Sequence, residues 1–291
     1  MDLGKLGVWY FTDQMPAPEL VALSRRIERW GYGALWVPEA VGRDPFALSA
    51  AVLAQTESLV LATGIANIYA RDPNAMAAAQ KTVAEQSGGR FLLGLGVSHA
   101  PMVEGLRGHA YGKPVATMRA YLERMGQAPY AGAPPPDDLP IVLAALGPRM
   151  LALSAEQTQG AHPYNTDPEH TRRAREIMGP DAWLCVEQKV VFEPDVAQAR
   201  QVAIAGLQMY KPLPNYRNNW KRLGYSEEEI ESDSDRFIDG IVACGGEDIV
   251  RGRIQAHLDA GASHICIQPL NPAGGPGPDE RILEILAPAG G

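Results

Sequence analysis

Eight times along the chain a short apolar run is followed by a segment with apolar residues at helical spacing. "LGVWYF" (6–11) precedes Leu20, Leu23, Ile27 and Trp30, and "ALWVPE" (34–39) precedes "PFALSAAVLAQT" (45–56). "LVLATGIANI" (59–68) precedes Met76, Ala79 and Val83 on one helix face. The series continues with "FLLGLGV" (91–97), "IVLAAL" (141–146), a weak strand near "AHPY", "AWLCVEQKVVF" (182–192) and "HICIQPL" (264–270). Runs that stay apolar, with no in–out alternation, belong to a parallel sheet covered on both faces. Eight strand–helix units predict a closed (β/α)8 TIM barrel, with a doubly wound open sheet as the structural alternative.

The spacing breaks once. About 70 residues separate "VVF" (190–192) from "HICIQ", twice what one crossover helix needs. A stretch this long predicts extra helices, so the expectation is one domain over residues 1–291 with a helical insertion at about 193–262, between strands 7 and 8. It carries Tyr210, Tyr216, Trp220 and Tyr225, which either cover a site or fill a satellite core or subunit contact. Its acidic run "SEEEIESDSD" (226–235) reads as a solvated helix start.

A net charge of −8 leaves no basic face for nucleic acid, so an anionic ligand must be held by local donors. Cys185, Cys244 and Cys266 are few and far apart, which predicts reduced, buried thiols in a cytoplasmic protein. "MDLGKLGVWYF" lacks the pattern of a signal peptide, and no apolar run approaches membrane-helix length. The six histidines, His99, His109, His162, His170, His257 and His264, show no short ligand spacing, so no metal site is expected.

Two chemical motifs are nearly present and fail. Gly96-Val97-Ser98-His99-Ala100 misses a nucleophile elbow at its last residue, and Pro101 with the glycine-rich "MVEGLRGHAYGK" reads as loop where that motif requires a helix. His162 follows as a possible triad base, but no carboxylate stands out between them. Gly94 and Gly96 begin a dinucleotide fingerprint whose third glycine is replaced by His99. What remains is a set of strand ends, "WYFTD", "WVPEA", "TGIANIYARDP", "GVSHAP", "AALGPRM" and "AHPYN", where barrel enzymes build their sites. Small residues there admit a flat ring and let backbone N–H groups reach phosphate. Pro148 opens a helix whose N-terminus favours an anion.

"YGALWVPEAVGRDP", "LATGIANIYARDP", "GGRFLLGLGVSHAP", "VLAALGPRM" and "GAHPY", in this order, resemble the luciferase-like oxidoreductase family, most closely its deazaflavin (coenzyme F420)-dependent branch. The resemblance runs from about residue 5 to residue 270. It implies a barrel, commonly a homodimer, that binds a flavin-type ring at the strand ends and transfers hydride between that ring and a small organic substrate. It also implies a non-prolyl cis peptide behind the ring, for which Gly64-Ile65 is the candidate, with Ala66 and Asn67 adjacent. Cofactor phosphate and tail contacts map to Gly96, Val97, Ser98 and His99, and to Ala145, Leu146, Gly147 and Pro148. His162 joins them through "GAHPY". Arg71, Arg107 and Lys113 either offset an acidic cofactor tail or are solvated at the surface. Several members carry an Asp-His pair where this chain has Glu39-Ala40, and a glutamate proton donor where His99 stands. Glu39 and His99 are therefore the candidate catalytic groups. An FMN-dependent monooxygenase and a non-catalytic flavin-binding protein are the alternatives.

Overall fold

The computed structural model describes residues 1–275 and 277–288. Its strands are β1 (Leu6–Trp9), β2 (Ala34–Val37), β3 (Val60–Thr63), β4 (Ala66–Asn67), β5 (Phe91–Gly96), β6 (Ile141–Leu143), β7 (Gly160–Ala161), β8 (Trp183–Phe192), β9 (Ala243–Gly245) and β10 (His264–Pro269). Every pairing is parallel, and the sheet closes where β10 pairs with both β1 and β8, in the registers Leu6↔Ile265 and Cys266↔Glu187. β3 and β4 are two halves of one stave, each paired to β5, so the closed cylinder has eight staves. The protein is a (β/α)8 barrel. β9 extends the end of β8 through Val191↔Cys244.

The sequence's single run at 59–68 is thus interrupted at Gly64-Ile65, which is the cis peptide. The predicted loop after β5 also differs, because Pro101–Leu106 forms one wide helical turn. Six residues with Pro101 at the first position are too few to bury an amphipathic face, which is why periodicity does not reveal it.

Successive residues point to opposite sides of each stave. Leu35, Val37, Leu61, Leu93, Leu95, Leu184 and Val186 meet the surrounding helices, while Trp9, Ala34, Trp36, Ala62, Leu92, Val142, Cys185 and Cys266 fill the interior. The interior mixes very large with very small side chains, as a tapered barrel requires. It is not wholly apolar. His162, Glu187, Lys189, His264 and Gln268 are all buried.

Three of the crossover helices start on the same two-residue device. Asp44, Asp72 and Asp167 accept hydrogen bonds from first-turn N–H groups of α2 (Pro45–Leu53), α3 (Pro73–Gln86) and α6 (Pro168–Met178), each of which has proline at its first position. An aspartate cap followed by proline fixes where the chain leaves the barrel rim. The remaining crossovers include α1 (Ala17–Arg29), α4 (Pro114–Gly126) and α5 (Pro148–Gln157).

After β8 the chain forms α7 (Val196–Leu207), α8 (Pro214–Arg222), α9 (Glu227–Glu231) and α10 (Asp235–Ile241) before β9 and α11 (Glu247–Asp259). α11 packs on α6, β8 and β10 as an ordinary crossover, so α7 to α10 are the additional helices. They share a core of their own that includes Tyr210, Tyr216, Trp220, Tyr225, Ile230 and Phe237. The acidic run starts α9 with a capping box between Ser226 and Glu229.

His162, His170, His257 and His264 are buried among these layers. Trp36 Nε1 donates to His264 Nε2 at 3.1 Å, which leaves His264 Nδ1 to donate to Gly4 O at 2.9 Å. His162 stacks on Trp36 with centroids 4.4 Å apart and donates from Nδ1 to Cys185 O at 2.8 Å. His257 bridges Gln188 and Thr171, each at 2.8 Å. Burial pushes His162 and His264 down to about 4, and His257 to about 3. The unfolded chain therefore takes up protons near pH 6.5 that the folded chain refuses. We expect stability to fall as pH drops from about 6.5 towards 4, by up to roughly 1.4 kcal/mol per pH unit for each imidazole. Thermal midpoints measured between pH 7.5 and 5 check this; a midpoint unchanged to pH 5 contradicts it.

Candidate active site

The site begins at the broken stave. Gly64 N donates to Val37 O at 2.8 Å, and its carbonyl accepts Trp9 Nε1 at 3.1 Å. One residue earlier, Thr63 Oγ1 both donates to Gly94 O and accepts from Gly94 N, at 2.7 and 2.8 Å. A Cβ on Gly94 would lie 1.9 Å from Thr63 O, so only glycine permits this approach. Beyond the break, Glu39 N donates to Ile65 O at 3.1 Å, and the Glu39 carboxylate accepts Asn67 N at 2.8 Å and Arg71 Nη1 at 2.6 Å. Arg71 also pairs with Asp44. Both oxygens of Glu39 are thus engaged in holding the bulge, and Arg71 faces two carboxylates, which leaves it less free for an acidic tail. Ala66 and Asn67 are buried in the short β4.

Ile65 is half-buried and lies against Gly96, where a Cβ would come within 2.4 Å of its Cδ1. Val97, Ser98 and His99 follow, all half-buried. Ser98 adopts φ 55°, and its carbonyl accepts Tyr111 Oη at 3.1 Å. The left-handed backbone turns the chain across the rim and away from a strand-to-helix elbow. His99 O accepts from Met102 N and Val103 N, both at 3.0 Å, which anchors the loop. Burial pushes the His99 imidazole below its usual range, opposed by a hydrogen bond that the ring donates to Asn215.

The loop after β6 completes this side. Ala145 is buried, and Leu146 O accepts His170 Nε2 at 2.9 Å. Gly147 then caps α5 without a side chain, and Pro148 occupies its first turn. Near the place a Gly147 Cβ would take, the closest group is Arg222 Nη2 at 3.7 Å. Arg222 of α8 therefore approaches the N-terminus of α5, where Met150 N and Leu151 N donate to Gly147 O at 3.1 Å. His162, which the motif resemblance placed with this set, lies inside the barrel, 2% exposed and below Gly64. Arg107 is half-buried and Lys113 exposed just before α4.

Sequence reasoning missed the opposite side of the mouth. Lys189 Nζ donates to Asn165 Oδ1 at 2.6 Å and approaches Glu187 Oε1 at 3.4 Å, beneath the Tyr164 ring at 3.8 Å from its centroid. Tyr164 donates to Gln268 Oε1 and meets Tyr210 Oη, both at 2.8 Å. The signal was present as two charges spaced by two within "CVEQKVV", on one face of β8. Burial pushes Lys189 down to about 8, partly offset by Glu187, whose own pKa burial raises.

Residues 1–264 match the sequence model of the family described as luciferase-like monooxygenase. The chain belongs to that family. It is 27% identical, over 92% of its length and 94% of the relative, to a Mycobacterium tuberculosis protein whose name provisionally assigns it as a coenzyme F420-dependent oxidoreductase. Among solved structures it resembles an F420-dependent secondary alcohol dehydrogenase in complex with an F420-acetone adduct, with a TM-score of 0.77 and 15% identity over 98% of both chains. It also resembles the FMN-bound oxygenating constituent of 3,6-diketocamphane monooxygenase from Pseudomonas putida, with a TM-score of 0.73 and 15% identity over 99% and 98% of the chains. At these identities the structural likeness concerns the fold.

The buried pair generates a stability test. Lys189→Met alone strands Glu187 in the interior and is expected to cost about 3–5 kcal/mol. Lys189→Met combined with Glu187→Met is expected to cost far less than the sum of the single changes. Chemical denaturation of the three variants measures both; additive losses would show that the charges are not coupled.

Proposed function

We propose that the protein is a coenzyme F420-dependent oxidoreductase that moves a hydride between the deazaflavin and a small organic substrate. When bound, that cofactor supplies or accepts the hydride at its C5. The observation that supports this reading is the pairing of Ile65 and Gly96, a half-exposed apolar side chain beside a strand that lacks a Cβ. It offers a flat apolar floor at the barrel rim, bounded by His99 and continuous with the open N-terminus of α5. Residues 96–99 and 145–148 fit the role of holding phosphate through backbone donors, with Ser98 and Arg222 adding side-chain donors. Gly64, Ala66 and Asn67 hold Ile65 in place behind the ring.

Glu39 acts through position: its carboxylate fixes Asn67 and Arg71 and so sets the bulge. Proton transfer then falls to His99. With its pKa lowered by burial, the imidazole is neutral at pH 7 and accepts a proton from a substrate hydroxyl as hydride leaves the carbinol carbon. In the reverse direction the imidazolium returns that proton to a carbonyl oxygen.

Titration with F420 and with FMN, followed by quenching of cofactor fluorescence, tests the cofactor. F420 is expected to bind at least tenfold more tightly than FMN; the reverse order favours an FMN monooxygenase, and failure of both overturns the reading. Gly96→Ala displaces Ile65, whose Cδ1 and Cγ1 would lie 2.4 and 2.6 Å from the new Cβ, and is expected to weaken F420 binding at least tenfold and to lower the thermal midpoint. For alcohol oxidation, kcat/KM is expected to rise with pH through a limb below 6.5, and His99→Gln to remove that limb.

A further inference from the structure

The aromatic side chains of the mouth make a closed circuit of contacts. Gly64, next to Ile65, meets Trp9, whose indole lies edge-on to Phe11 at 4.8 Å and tilted against Tyr164 at 5.0 Å. Tyr164 neighbours Tyr216 at 6.2 Å, and Tyr216 neighbours His99 at 5.6 Å. His99 returns through the β5 loop to Gly96 and Ile65. Phe11, Ile65, His99 and Tyr164 are only half-buried.

The cations tied to this circuit are already neutralised. Lys189, 1% exposed, is held by Asn165 and Glu187 behind the Tyr164 ring, and Arg71 by Glu39 and Asp44. The Tyr164 hydroxyl is held by Tyr210 and Gln268. Of the circuit's polar groups, the His99 ring is half-buried and carries no neutralising charge, with Asn215 as its side-chain hydrogen-bond partner. A carboxylate or phosphate entering between these rings would lose its water without gaining a free charge from Lys189 or Arg71, whereas a flat apolar body would meet aromatic side chains.

We propose that the chamber bounded by Phe11, Ile65, His99, Tyr164 and Tyr216 selects a neutral, flat, largely apolar substrate whose one polar atom is a carbonyl or hydroxyl oxygen directed at His99. Phe11 and Tyr164 determine the specificity. This rests on the ring site proposed above, with the substrate lying between Ile65 and the insertion.

Calorimetric binding to the F420-saturated protein and to the cofactor-free protein tests it, with acetophenone, benzoate and phenyl phosphate as probes at pH 7.5. Acetophenone is expected to bind at least tenfold more tightly than either anion. Tyr164→Leu is expected to weaken acetophenone at least fivefold, and Phe11→Arg to bring benzoate to parity or better. Equal or tighter binding of benzoate or phenyl phosphate by the unaltered protein overturns the proposal, as does failure to bind acetophenone or a ranking indifferent to both substitutions. If F420 does not bind while the ranking holds in the cofactor-free protein, the cofactor reading fails and the chamber's selectivity stands.

Discussion

The indole of Trp9 holds the carbonyl of Gly64, and much of the site follows from that contact. Trp9 is the last residue of β1, and its side chain crosses the barrel interior to the third stave. With Gly64 fixed there, the chain cannot continue β3 straight into β4, and Ile65 is turned up to the rim. Thr63 locks the stave below the break to Gly94, and Glu39 locks the stave above it to Asn67. Three neighbouring staves thus determine the position of one isoleucine. A cofactor floor built this way is supported by rigid strands, and its precision does not depend on loop order.

The barrel is legible in the sequence because most of its strands are apolar on both faces, and that pattern has few other solutions. Helix starts are legible for a related reason: Asp-Pro pairs at 44–45, 72–73 and 167–168 terminate loops by a local hydrogen-bond rule that no tertiary contact need supply. The break at Gly64-Ile65 has no such local cause, and residue type alone places it only through likeness to a family. The Lys189–Glu187 pair is hidden for a different reason. Two charges inside an apolar run carry no sign of which groups will satisfy them, and the answers, Asn165 and Tyr164, come from the loop after β7. His162 marks the limit of motif transfer. It lies within a matching stretch, yet its ring stacks on Trp36 in the barrel interior, with Nε2 near Gly64 and without a hydrogen-bond partner among the described residues.

The insertion gives the mouth its chemistry. Its own core, from Tyr225 to Phe237, is independent of the barrel's, yet Tyr210 and Tyr216 leave that core at its edge and meet Tyr164 and His99. α8 also brings Trp220 Nε1 to Asn165 O at 2.9 Å, so the loop that positions Lys189 is held from both sides. Helices added between staves 7 and 8 therefore do more than cover an opening. They supply one wall of the chamber and tie it to the buried charges beneath.

Those charges raise the question of why a barrel would keep them, since a buried ion pair rarely stabilises a fold better than apolar side chains of the same volume. Their geometry supplies a reason. Lys189 lies behind the face of Tyr164, and Glu187 accepts the backbone N–H of Asn165 at 3.0 Å, so the pair orients the chain between β7 and α6 from below. An apolar pair of equal size would fill the space without fixing which way Tyr164 faces. Tyr164 in turn has its hydroxyl held by Tyr210 and Gln268, and its remaining freedom is removed by the cation under its ring. The outcome is an aromatic wall as rigid as the Ile65 floor opposite it. Both walls are set by contacts that reach them from inside the cylinder.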